Sequence, residues 1–149
     1  MQIIGEYEFK AKREIVWNLL LKPSALKQAI PGIKDFEQIG EQKYALQLSV
    51  GIASVKGSYT GEVQVSHEQP YDTYRLTVTG KGKPGSIQSE IDMTLTETGD
   101  TTTVYYVGNV HARGTIARLG NRLIKGTAGL LAGQFFKAME NQLTIQTKK

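Results

Sequence analysis

Residues 114–145 read GTIARLGNRLIKGTAGLLAGQFFKAMENQLTI. Ile116, Leu119, Leu123, Leu130 and Leu131 recur at three- and four-residue steps, and Phe135, Phe136, Met139 and Leu143 continue the series, which is the period of an amphipathic helix. Almost everything upstream alternates with the two-residue period of strands. One long helix beside a strand-rich body hides its apolar stripe most economically by lying across a curved sheet. The same stretch carries Gly114, Gly120, Gly126, Gly129 and Gly133, each costing a helix interior about 0.5–1 kcal/mol relative to alanine. Placed at 100° per residue, Ile116, Leu119, Leu123 and Leu130 point one way, whereas Phe135, Phe136, Met139 and Leu143 centre roughly 100° or more away. The sequence therefore predicts a kink or rewinding within residues 126–133, a hinge over whatever the helix covers.

Working backwards, residues 102–112, 86–97 and 72–79 alternate as strands, the last two with Ile87, Ile91, Met93 and Leu95, and with Tyr74, Leu76 and Val78, on their inner phases. Turn-like segments at 98–100, 80–85 and 68–70 join them, which predicts an antiparallel meander. In the preceding run Val55, Gly57, Tyr59, Gly61, Val63 and Val65 share a phase, and His67 continues it. Glycines at Gly57 and Gly61 on an inward phase imply a sharp bend of the strand or room for something else. Tyr44, Leu46, Leu48 and Val50 form another strand, and Ile3, Tyr7 and Phe9 the first. Between them lie two short helices: residues 13–21, with Val16, Trp17, Leu20 and Leu21 on one side, and a second opened by Pro23 and stopped by Pro31-Gly32. The predicted fold is α+β, one domain over residues 1–149: a curved antiparallel sheet of about seven strands, two short helices after the first strand, and a long C-terminal helix.

Composition narrows the chemistry. There is no cysteine, which removes disulfides and thiolate chemistry. No leader and no membrane-spanning run is visible, so a cytoplasmic protein is expected. The net charge is +4, and between Arg113 and the C-terminus seven basic residues (Arg113, Arg118, Arg122, Lys125, Lys137, Lys148, Lys149) face the single acid Glu140. Arg118, Arg122 and Lys125, spaced i, i+4, i+7 on the side opposite Ile116, Leu119 and Leu123, form either a solvated face or a docking face for anionic lipid or an acidic protein. Nucleic acid is not expected, because no aromatics interleave with the basic residues. Gly80-Lys81-Gly82-Lys83-Pro84-Gly85 spells G-x-G-x-x-G, but a strand rather than a helix follows, so it reads as a mobile rim hairpin. His67 and His111 are the only histidines, on opposite phases and without ligand-spaced partners, so no metal site is expected. Glu62, Glu90, Asp92 and Glu97 sit on polar phases, and no serine lies in a nucleophile elbow; no catalytic set is visible.

In this order, Val16-Trp17-Asn18-Leu19-Leu20, Ile30-Pro31-Gly32, Val50-Gly51, Val55-Lys56-Gly57-Ser58-Tyr59-Thr60-Gly61, Gly80-Lys81-Gly82 with Gly85, residues 114–124 and Gln134-Phe135-Phe136 resemble the carbon monoxide dehydrogenase G-subunit (CoxG) family of the START/Bet v 1-like helix-grip superfamily. Two positions depart from that pattern: Lys22 replaces a frequent acid and Ala29 a frequent cysteine. The resemblance implies a sheet wrapped around the C-terminal helix with a hydrophobic cavity between them. It also implies a non-catalytic accessory role to a molybdenum hydroxylase, in membrane attachment or in carriage of a quinone or lipid, with no cofactor of its own. The inward residues expected to bind the apolar ligand are Trp17, Phe36, Leu48, Tyr59, Leu76, Ile91, Met93, Tyr106, Leu123 and Phe135. Gly57 and Gly61 are expected to clear cavity space, and Arg118, Arg122 and Lys125 to dock on membrane or partner. The alternative is an enzyme of the same fold, resembling a polyketide cyclase or dehydratase, for which His67 and Arg75 are the nearest ionisable candidates.

Overall fold

The computed structural model describes residues 1–147, apart from the side chains of Ser54 and of residues 144–147. Lys148 and Lys149 of the basic segment lie outside the described residues. The chain opens with β1 (Gln2–Phe9) and turns through α1 (Arg13–Leu21) and α2 (Pro23–Ala29). It then runs back and forth as β2 (Ile33–Gly40), β3 (Lys43–Val50), β4 (Gly57–Gln69), β5 (Thr73–Gly82), β6 (Gly85–Thr98) and β7 (Thr101–Arg113). A 3₁₀ turn at Gly114–Leu119 leads into α3 (Asn121–Thr147). All seven strands belong to one antiparallel sheet in the order β1-β7-β6-β5-β4-β3-β2, the meander expected from the short connections.

The first strand closes the far edge. Gln2 pairs with Asn109 and Phe9 with Thr102, while the Met1 amino group donates to the Val110 carbonyl at 3.1 Å. At the β5–β6 turn the glycine-rich segment is not a loose rim: Gly80 pairs with Ile87 and Gly82 with Gly85, leaving only Lys83 and Pro84 outside the ladder. The Ile116 amide donates to the Pro84 carbonyl at 2.9 Å, tying this hairpin to the 3₁₀ turn. At Gly114, φ is +79°, and a Cβ there would lie 2.9 Å from Gly85 Cα, so two backbones meet where only glycines fit.

The helical segment departs from its expected form in two ways. It is interrupted at Gly120, where φ is +85°, rather than in residues 126–133, through which α3 runs unbroken. The inward stripe is also in a different register. Leu123 and Leu130 are each 50% exposed, whereas Ile124, Phe136, Met139 and Leu143 are buried. Once the stripe is drawn through Ile124, Thr127, Ala128, Leu131, Phe135 and Met139 it holds one direction, and the rotation inferred from Leu123 and Leu130 disappears. Gly126, Gly129 and Gly133 are exposed, with no neighbour within 4 Å of a Cβ placed on them.

Two apolar clusters hold the sheet to its helices. The larger gathers Phe9 and Leu95 with Trp17 and Leu20 of α1, Leu26 of α2, Tyr44, Tyr74, Met93 and the α3 residues Phe136, Met139 and Leu143. Gln142 Nε2 donates to the Ala25 carbonyl at 3.0 Å, fixing α3 against α2. Thr102, fully buried, donates through Oγ1 to the Ala11 carbonyl at 2.8 Å and so satisfies its hydroxyl. The smaller cluster lies around Tyr59, Ile116 and Ile124, with the Tyr59 hydroxyl donating to the Val55 carbonyl at 2.5 Å.

Candidate functional site

Between these two clusters the inner face of the sheet is not filled. A cavity of about 360 Å³ is bounded by side chains that belong to both, such as Leu26, Met93 and Phe136 on one side and Ile116 and Ile124 on the other. Its floor follows the alternation of the strands: Ile3 of β1, Val63 of β4, Leu76 and Val78 of β5, Ile87, Ser89, Ile91 and Met93 of β6, and Tyr106, Gly108 and Val110 of β7. Its roof is α3, through Ile124, Thr127, Ala128, Leu131, Ala132, Phe135 and Phe136. The space exists because the residues facing the middle of the sheet are short: Ala128 and Ala132 above, Gly108 and Ser89 below. The volume falls within the roughly 300–1,000 Å³ typical of small-molecule sites.

One end of the cavity is an aromatic wall. Phe136 is stacked with Tyr7 at 5.4 Å and 18° and with Tyr106 at 5.6 Å and 28°, and it meets Phe135 edge-on at 5.3 Å. Tyr106 can lie over β1 because its pairing partner is Gly5; a Cβ there would fall 2.2 Å from the Tyr106 hydroxyl oxygen. Burial raises the Tyr106 pKa above the ordinary phenol value.

Among the described residues no charged side chain lines the cavity. Its hydroxyls are those of Ser89, Thr127 and Tyr106. Ser89 is 5% exposed, and its Oγ has no hydrogen-bond partner among the described residues.

Of the ten residues expected to face a ligand, Leu76, Ile91, Met93, Tyr106 and Phe135 line this cavity. Trp17 lies instead in the larger cluster, edge-on to Tyr74 at 5.3 Å, and Phe36 stacks on Tyr44 at 5.0 Å. Leu48 and Tyr59 belong to the smaller cluster without reaching the cavity, and Leu123 faces outward. The glycine expectation also needs correction. A Cβ on Gly61 would sit 2.1 Å from the Thr79 carbonyl oxygen, so Gly61 permits the close approach of β4 and β5 and does not clear the cavity. At Gly57 φ is +158°, and the nearest neighbour of an added Cβ is Pro84. The glycine that does line the cavity is Gly108. Ser89, Gly108, Ala128 and Ala132 were missed because pattern reading follows large apolar residues, and a void is defined by small ones. Ser89 stands between Ile87 and Ile91 on the inward phase of its strand, and that alternation is the signal by which it could have been found.

The remaining candidates lie on the outside. His67, expected on the inward phase, is exposed at a strand irregularity with φ +55°, its Nδ1 2.9 Å from Ser66 Oγ. Arg75 pairs across the outer face with Asp92 at 2.9 Å and Glu90 at 3.1 Å, and the Asp92 hydrogen bond and charge raise its pKa. Arg118, Arg122 and Lys125 are exposed and form no ion pair among the described residues. The Gly120 break places Arg118 on the 3₁₀ turn and the other two on α3. A larger void of about 780 Å³, lined by Lys81, Gln88, His111 and Arg113 among others, is an open groove of mixed polarity that shares Ile87, Val110 and Ile124 with the cavity. Among the described residues no helix is long and apolar enough to cross a membrane, and no group of three or more acidic or histidine side chains is placed to hold a metal ion.

A seven-stranded antiparallel sheet gripping a long C-terminal helix over an apolar cavity is the START-like helix-grip fold. A START superfamily protein from Mycobacterium smegmatis superposes with a TM-score of 0.78 at 15% identity, over 97% of this chain and 98% of the other. A protein from Thermus thermophilus gives 0.73 at 15% identity, over 98% and 99%. A conserved protein from Geobacillus kaustophilus is nearer, with a TM-score of 0.93 at 36% identity, over 97% and 95%. The profile of the CoxG family, named for the G-subunit of carbon monoxide dehydrogenase, matches residues 5–144, and the chain belongs to that family. No curated protein sequence matches it significantly.

Proposed function

We propose that this protein is a non-catalytic carrier of an apolar small molecule, an isoprenoid quinone or a lipid acyl chain, serving a molybdenum hydroxylase of the carbon monoxide dehydrogenase type. The observation that carries this reading is the apolar cavity between two well-packed clusters, roofed by α3. The family name supplies the partner. Contact with a membrane is peripheral in this reading: Arg118, Arg122 and Lys125 attract anionic headgroups, and Leu123 and Leu130, seven residues apart on α3, add exposed apolar surface. A catalytic reading has little to work with at the cavity, whose lining offers only three hydroxyls; the Tyr106 phenol is made a weaker acid by burial.

The test is extraction of a quinone from anionic vesicles. Protein is mixed with vesicles containing a long-chain naphthoquinone and the vesicles are sedimented. The supernatant is expected to contain quinone in proportion to protein, up to one per chain. Protein that returns with neither quinone nor phospholipid at every concentration refutes the carrier reading, and phospholipid without quinone assigns the acyl chain as the cargo. Neutralising Arg118, Arg122 and Lys125 to glutamine is expected to weaken vesicle binding about a hundredfold at low salt, from about 1 kcal/mol per basic residue. Binding unchanged in that variant assigns membrane contact elsewhere.

A further inference from the structure

We infer that Ser89 is the polar anchor of the cavity, and that the end of the ligand lying deepest between β6 and β7 carries an uncharged oxygen, a carbonyl or a hydroxyl, rather than a carboxylate. This rests on the reading of the cavity as a ligand site and decides between the ligand chemistries that reading leaves open.

Three observations converge on Ser89. Across the inner face of the sheet the register aligns Val63, Val78, Ser89 and Val110 in one row, so a serine stands where each neighbour in the row is valine. A valine there would fit the pattern and cost nothing in polarity. Its Oγ is buried without a hydrogen-bond partner among the described residues, an unfavourable state for a hydroxyl. Beside it stands Gly108, which also lines the cavity: a methyl group there would lie 3.4 Å from Ser89 Oγ and 3.2 Å from Ile91 Cγ1, so glycine spares Ser89 a crowding side chain on the β7 side. A ligand oxygen reaching Ser89 from the cavity would complete its hydrogen bonding.

The charge of the anchor group follows from the lining. Among the described residues no cationic side chain faces the cavity, so an ionised carboxylate placed there would lose its hydration without a counter-charge. A neutral carbonyl or hydroxyl needs only the one donor or acceptor that Ser89 offers. A fatty acid would therefore enter with its carboxylate outward, whereas a quinone ring can enter head first, toward Tyr106 and Phe136.

The experiment compares two probes on the purified full-length protein: a prenylated naphthoquinone and the prenylated naphthalene that lacks its ring oxygens. Affinities are measured by calorimetry for wild type, Ser89→Ala and Ser89→Thr. Ser89→Ala is expected to bind the quinone roughly tenfold more weakly, the equivalent of about 1.4 kcal/mol, and the naphthalene as wild type does. Ser89→Thr, which keeps the hydroxyl, is expected to retain quinone affinity. Equal quinone affinity in wild type and Ser89→Ala, or an equal loss for both probes, overturns the anchor while leaving the cavity reading intact. Failure of the wild type to bind either probe overturns the cavity reading itself. Ser89→Ala removes an unpaired buried hydroxyl, so its thermal stability without ligand should equal or exceed wild type, which separates a lost anchor from a lost fold.

Discussion

At Gly61 the β4 backbone runs so close to β5 that a Cβ would lie 2.1 Å from the Thr79 carbonyl oxygen. Gly61→Ala is therefore expected to destabilise the fold by about 2 kcal/mol or more, read as a lower denaturation midpoint; an unchanged midpoint would mean that the strands part at no cost. Gly108→Ala is a milder intrusion, at 3.2 Å from Ile91 Cγ1, and its expected effect is on ligand affinity more than on folding. The two glycines look alike in sequence, each on an inward strand phase. What distinguishes them is whether the missing side chain would meet backbone, as at Gly61, or side chains that can give way, as at Gly108, and that depends on the neighbouring strand. Single-residue roles at the cavity were for this reason only half legible: Leu76, Ile91 and Met93 followed from alternation, whereas Gly61 and Gly108 required the partner strands.

The glycines of α3 matter at the scale of the element. Gly126, Gly129 and Gly133 face outward with nothing within 4 Å of an added Cβ, so each change to alanine is expected to stabilise the helix by about 0.5–1 kcal/mol. Together the three should raise the melting temperature by several degrees, at about 2–4 °C per kcal/mol for a chain of this size. A triple variant that melts earlier than wild type would show that these glycines make contacts the helix needs. The register of α3 has its own test: Leu123→Ser should fall within about 0.5 kcal/mol of wild type, while Ile124→Ala should cost about 2–5 kcal/mol. The reverse order would restore the register read from periodicity. That reading found the helix but not its inward face, because Leu123 and Ile124 are both apolar and Gly120 breaks the phase between the Ile116 turn and α3. A periodicity drawn across a positive-φ glycine joins two segments with no common wheel.

For the whole molecule, strand order, the two short helices and the helix grip were readable from alternation, turn residues and resemblance. The cavity was implied by the resemblance, and the glycine reading that also allowed for one fell on Gly57 and Gly61, which do not line it; no pattern of large residues records the space that Ala128, Ala132, Gly108 and Ser89 leave. Tyrosine burial adds a global consequence. Burial raises the pKa of Tyr44, Tyr59, Tyr74 and Tyr106, most of all at Tyr74, so above pH about 10 the folded state holds protons that the unfolded state releases. This stabilisation is intact below pH 10 and is lost as pH rises toward the folded-state values, so the denaturation midpoint should fall steeply on the alkaline side; a midpoint flat to pH 12 would contradict the burial. The proposed function stands or falls on whether the space between the two clusters receives a ligand. Calorimetric titration of a prenylated naphthoquinone into wild type and into Ala128→Phe, which places a ring in the cavity from its roof, decides this. Wild type is expected to show one site per chain with a negative heat-capacity change, and the variant to lose binding while retaining its circular dichroism spectrum and cooperative melting. Equal binding by both proteins would place the ligand elsewhere and refute the cavity as its site.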